Sequence, residues 1–142
     1  MKPQTTAILY WSLTLLFAAV MLLSGLSNLL QTPESEELMR QLGYPVHVLR
    51  VIGLGKTLGA LALLQHRFRT LKEWAYAGFT FDLLGASAAW AATTADPLAT
   101  LAPLLFLVPM FGSYALWKRR LRPQLLPPVT AAPSLPAAAL AA

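Results

Sequence analysis

No cysteine occurs among the 142 residues. That removes disulfides, thiolate metal ligands, iron–sulfur clusters and thiol nucleophiles from the chemistry open to the chain. Charge is scarce as well: 12% of residues are charged, six acidic against eleven basic. A soluble domain of this length carries roughly 25% charged residues on average. The two histidines, His47 and His66, fall at opposite ends of one predicted helix. They are too far apart to share a metal or a haem, so no metal site and no resident cofactor is expected.

Apolar sequence fills the place of charge. Hydrophobic residues make up 56% of the chain, and the mean hydropathy is +0.56. About 20 apolar residues in a helix span the roughly 30 Å hydrocarbon core of a bilayer. Four runs approach that length, at residues 7–30, 48–65, 73–92 and 98–117. The expected fold class is therefore all-α, an integral membrane antiparallel four-helix bundle. It would occupy residues 7–117 after a short N-terminus of residues 1–6, with a Pro/Ala-rich tail at residues 118–142 read as disordered. The first run is too long for the apolar core of a cleaved signal, and Leu23-Ser24-Gly25-Leu26 offers no small-x-small cleavage site. It reads as a retained anchor. Four such spans exclude a soluble enzyme and a nucleic-acid binder.

The basic residues have an order. Lys2, then Arg67, Arg69 and Lys72, then Lys118, Arg119, Arg120 and Arg122 precede, join or follow paired spans. Glu34, Glu36, Glu37, Arg40 and Asp96 occupy the alternate connections, with Arg50 just inside the second run. The positive-inside rule then puts both termini in the cytoplasm of a multi-pass protein of the cell inner membrane. Tyr10, Trp11, Trp74, Tyr76, Tyr114 and Trp117 are expected in an aromatic belt at that same interface. The basic turn at residues 66–73 is a candidate for anionic lipid.

Between the first two runs, Thr32 and Pro33 open a short helix and the acidic Glu34, Glu36 and Glu37 favour its positive end. Gly43 closes it. With Leu38 and Leu42 on one face, it is expected to lie on the outer membrane surface. In the fourth run, Pro109 removes a backbone bond and predicts a kink.

One pair of charges lies inside the runs. Lys56 is nine residues before Gln65, and Asp82 is nine residues after Glu73, on either side of a short hairpin. At about 1.5 Å per residue both lie roughly 13 Å from the hairpin end. Gly53, Gly59 and Ala60 share a stripe with Lys56, and Ala75, Gly78, Gly85 and Ala89 share one with Asp82. Small residues let helices approach closely, so an ion pair is expected between packed helices. An unpaired charge there costs about 3 kcal/mol or more. Such a pair serves either as a functional site or as a lock on helix register. Ser24, Ser27 and Asn28 of the first run are candidates to extend a polar pocket, and Lys72 and Glu73 are candidate interface charges. Gly55 and Gly59 have the GxxxG spacing of a homodimer face or of an internal contact.

The segments LLSGLSNL, LGYP, IGLGKTLGALALL and LKEWAYAGFTFDLLGA together resemble the DoxX-like membrane proteins over residues 10–117. The resemblance implies a four-helix bundle with recurring polar positions at Lys56, Lys72, Glu73 and Asp82. Where many members carry a histidine, this chain reads Ala89-Trp90-Ala91. The founding relatives are linked to thiosulfate–quinone oxidoreductase complexes, which implies a membrane subunit or anchor of a redox-related complex, with oxidoreductase subunits as partners. The other reading is a small-molecule carrier or quinone-handling protein built on Lys56 and Asp82. Without cysteine, haem or flavin motifs, the chain is not expected to move electrons by itself.

Overall fold

The computed structural model describes residues 3–94 and 96–125, with side chains described for residues 4–94 and 96–121. Within them the fold is all-helical: α1 (Pro3–Leu29), α2 (Pro33–Gln41), α3 (Val48–Leu64), α4 (Arg69–Thr93), α5 (Pro97–Leu105) and α6 (Leu107–Leu125). Helix α1 is apolar around its whole circumference. Tyr10, Phe17 and Met21 are buried, while Ile8, Leu16 and Leu23 point away from the protein. Exposed apolar side chains on this scale mark a surface that water does not bathe. The segments Gln4–Leu29 and Pro97–Leu121 are long and apolar enough to cross a membrane. Helix α3 falls short of that measure in length, at 17 residues, and α4 in apolarity, with Asp82 and many small or polar residues along it.

Helix α1 packs against α3 and α6, and α4 packs against α3, α5 and α6. Neighbours run antiparallel: the start of α1 meets the end of α3 at Trp11 and His66, and the end of α1 meets the start of α3 at Gly25 and Gly53. The tightest crossing is at those two glycines. A Cβ on Gly53 would lie 2.7 Å from the carbonyl oxygen of Gly25, and a Cβ on Gly25 would lie 2.9 Å from the backbone nitrogen of Thr57. Backbone touches backbone here, and only glycine permits it.

Several expectations change at the ends and faces of the helices. The third apolar run begins at residue 73, yet α4 starts at Arg69, so Lys72 and Glu73 lie within its opening turns. Helix α6 continues to Leu125. The boundary of a disordered tail at residue 118 is thus wrong by eight residues, since Lys, Arg and Leu are good helix formers and cations suit a helix C-terminus. The rest of the proposed tail lies outside the described residues. The kink assigned to Pro109 falls at Phe106, between α5 and α6. The proline ring acts on the carbonyl four residues earlier, at Leu105, and the turn tightens so that Phe106 N–H donates to the Pro103 carbonyl at 3.2 Å.

Tyr10, Tyr76 and Trp117 are core residues rather than belt residues, whereas Trp74 is 74% exposed. Ser113 explains the burial of Tyr76, as Lys72, which donates to the Tyr10 hydroxyl at 2.6 Å, explains that of Tyr10. The Ser113 hydroxyl lies 2.8 Å from that of Tyr76 and 2.6 Å from that of Thr14, which also donates to the Tyr10 carbonyl at 2.7 Å. Buried hydroxyls that find partners can leave the interface.

Helix α2 forms as capped: Thr32 accepts from Ser35 N–H at 3.4 Å, Pro33 opens the helix and Gly43 closes it with φ +73°. Of the apolar pair expected on one face, Leu42 is buried and Leu38 stays 36% exposed. Met39 and Leu42 are buried against Leu49 of α3, with Trp90 of α4 beside them. The cluster offers more apolar contact than a lone nine-residue helix would otherwise have, so α2 folds back over the start of α3 and the end of α4.

The glycines of this fold make a testable contrast. Gly53→Ala should destabilise by about 1–3 kcal/mol by overpacking the α1–α3 seam. Gly78→Ala, where a Cβ meets nothing within 4 Å, should be neutral or slightly stabilising. Thermal unfolding in a neutral detergent reads both, and equal effects would refute the seam.

Candidate functional site: an ion pair between two cavities

Lys56 is the ninth of the 17 residues of α3, and Asp82 lies near the middle of the 25 of α4. Both helices are regular and antiparallel, so the two side chains arrive at one level. Lys56 Nζ lies 3.4 Å from Asp82 Oδ2, with the side chains 17% and 24% exposed. The ammonium also donates to Ser24 Oγ of α1 at 3.3 Å. Asp82 Oδ2, though within ion-pair range, accepts no hydrogen bond among the described residues. A buried carboxylate oxygen without a donor is an unused acceptor.

The space around the pair accounts for its partial exposure. A cavity of about 310 Å³ lies on the hairpin side, walled by Leu58, Gly59, Leu71, Trp74, Gly78 and Phe79. A second, of about 340 Å³, lies on the α2 side, walled by Ser24, Asn28, Leu38, Met39, Leu42, Tyr44, Gly85 and Trp90. Ile52, Lys56 and Asp82 border both. Two mostly apolar chambers therefore meet at one polar point.

Gly78 and Gly85 of the Asp82 stripe, and Gly55 next to Lys56, border the chambers. Gly55, Gly78 and Gly85 have nothing within 4 Å of where a Cβ would stand. The close helix approach expected at Gly78 and Gly85 is corrected. Of the stripe glycines on α3, Gly59 is the one in tight contact with α4, its Cβ position lying 2.9 Å from the ring of Phe79. That places Gly59 in an internal contact and Gly55 on a cavity wall.

The other candidates separate. Ser24 and Asn28 line the second cavity. Ser27 does not, because its hydroxyl lies 2.9 Å from that of Thr32 and 3.0 Å from that of Ser35, tying α1 to the cap of α2. Glu73 pairs with Lys118 of α6. Lys72 turns inward: it is 3% exposed and donates to the Tyr10 hydroxyl at 2.6 Å. Read along α4 alone, Lys72 is one more member of a basic turn, and its burial comes from α1 and α6. The Thr14–Ser113–Tyr76 hydroxyl chain was likewise missed. Its sole trace in the sequence is that each hydroxyl interrupts an apolar run.

The DoxX-like family model matches residues 12–113, most of the chain. The chain belongs to the DoxX-like family. The match spans α1 to the first turns of α6 and contains the ion pair and both cavities. No curated protein and no solved structure matches this DoxX-like chain. The family is membrane-associated, which agrees with the two apolar helices long enough to cross a bilayer.

If the pair is a unit, its halves must be removed together. Lys56→Met alone leaves Asp82 uncompensated and should lower stability by about 3 kcal/mol or more. The double variant Lys56→Met/Asp82→Leu should recover most of that loss in thermal unfolding. A double variant as unstable as the single one would show that the two charges are not coupled.

Proposed function

We propose that this DoxX-like chain is a multi-pass membrane protein that holds a small amphiphile, its apolar body in a cavity and its hydrogen-bonding head at Lys56 and Asp82. The observation that carries this reading is the meeting of two apolar chambers at one partly exposed ammonium–carboxylate pair. Ligand pockets are mostly apolar with a few placed polar groups, and this one is of that kind. A quinone carbonyl can accept from the Lys56 ammonium. A quinol hydroxyl can donate to the Asp82 carboxylate, whose side chain is 24% exposed, so the pair suits both members of a quinone–quinol couple.

In the bilayer, α1, α3, α4 and the α5–α6 rod would form an antiparallel four-helix bundle in the cell inner membrane. The short α3 and the charged α4 would be covered by their neighbours, and the basic end would face the cytoplasm. The amphiphile reading takes precedence over the anchor reading because the cavities give it a specific place to act. A membrane-subunit role is still favoured by one feature. With no cysteine in the chain, thiol and iron–sulfur electron transfer would fall to a partner oxidoreductase that shares the bound molecule.

Titration of the purified full chain in lipid nanodiscs with a short-tailed benzoquinone, read by tryptophan quenching, tests the reading. Trp74 and Trp90 each border one cavity. Asp82→Asn should weaken quinol binding per folded molecule on the order of tenfold, the loss of a hydrogen bond to a charged group. Gly78→Leu or Gly85→Leu should abolish binding by filling the occupied chamber. Undiminished binding in all three variants would remove the pair from the function. Reporter fusions before residue 7 and after residue 117 should both report cytoplasm, and opposite sides would rule out four crossings.

A further inference from the structure

Lys72 poses a separate problem. Its side chain is buried, and its two hydrogen bonds go to neutral oxygens, the Tyr10 hydroxyl at 2.6 Å and the Gln65 carbonyl at 3.4 Å. No carboxylate pairs with it among the described residues. Glu73, its neighbour in sequence, is held by Lys118. A buried cation without a counter-charge is costly, and the rings of Tyr10 and Trp117, 5.4 and 5.7 Å from the ammonium, offset that cost in part. A bias of basic residues toward one side of a membrane explains charges on the surface. It does not explain why one of them is buried.

The ammonium borders a cleft of about 200 Å³ at the basic end of the fold. Arg69, Arg120 and His66 stand around the same cleft, Tyr10 and Trp117 supply aromatic wall, and among the described residues none that lines it is acidic. The cleft is held open by a closed turn. Gln65 Nε2 donates to the Phe68 carbonyl at 2.6 Å, and Phe68 N–H donates back to Gln65 Oε1 at 2.7 Å. That ring fixes His66 and the start of α4 relative to α3. Arg120 arrives from α6 with its guanidinium over the Tyr10 ring at 5.2 Å.

We propose that this cleft is a second binding site, distinct from the Lys56–Asp82 cavities, and that its ligand is a phosphate group. Two guanidiniums and an ammonium converge from two helices, and the guanidinium fork matches phosphate oxygens two at a time. The volume admits one phosphate with a short substituent and is below the roughly 300 Å³ at which pockets for drug-sized ligands begin. The phosphate can come from the headgroup of an anionic phospholipid or from a free phosphate ester. Either would supply the negative charge that Lys72 lacks, joining α1, α4 and α6 at one end.

The test uses the full chain in neutral detergent, with native mass spectrometry after exposure to phosphatidylglycerol or phosphatidylcholine. Arg69→Gln/Arg120→Gln removes two charges from the cleft. Arg67→Gln/Arg119→Gln removes two from the same end of the protein outside it. The wild type should retain phosphatidylglycerol over phosphatidylcholine, and the cleft variant should lose about tenfold or more of that preference. The control variant should change less than about twofold. Arg120→Gln alone, at an exposed position, gives the same reading with a smaller loss should the double variant fail to fold. Inorganic phosphate and glycerol 3-phosphate are then added. Displacement of the lipid, or a rise in unfolding temperature that Arg120→Gln abolishes, assigns the site to a free phosphate. Lipid that stays bound in their presence assigns it to a headgroup. Equal losses in the cleft and control variants, or a wild type that binds neither lipid nor phosphate selectively, would overturn the proposal.

Discussion

A carboxylate halfway along one apolar helix must have a cation at the same height on its neighbour. That constraint sets the register of α3 and α4. Sliding one helix past the other by a single residue moves a side chain about 1.5 Å along the axis and about 100° around it, which takes Asp82 out of range of Lys56. Other contacts share the register, among them Phe79 over Gly59. The same geometry carries Lys72 to the level of Tyr10 on α1.

The charge pair was legible in the sequence for a simple reason. In a short hairpin of two regular helices, equal residue counts from the turn mean equal depth, and nine against nine leads to a contact of 3.4 Å. The cap of α2 was legible too, because Thr32, Pro33 and Gly43 act within a few residues of themselves. Lys72, Ser113 and Ser27 were not. Their partners come from helices distant in the chain or from an adjoining cap, and the periodicity of one helix says nothing about which neighbour arrives there.

Glycine shows the limit most clearly. Gly25 and Gly53 admit another backbone, while Gly55, Gly78 and Gly85 admit nothing. A missing side chain is the same in the sequence in both cases. What differs is whether the neighbouring helix moves in to fill the space, and two unlike uses follow. One joins α1 to α3. The other leaves room for chambers on either side of an ion pair, so that a fold with few polar residues still offers a directional polar contact to something of its own polarity.

Helix α2 adds a kinetic aspect. Nine residues are fewer than the roughly 12–15 that an isolated helix needs to persist in water, so α2 owes its order to Ser27 at one end and to Met39 and Leu42 seated on Leu49. The residues that hold it down, Met39 and Leu42, are also wall residues of the second cavity. Losing the helix would take both wall residues with it, so the shape of that chamber depends on a folding equilibrium of nine residues as well as on the packing of α3 against α4.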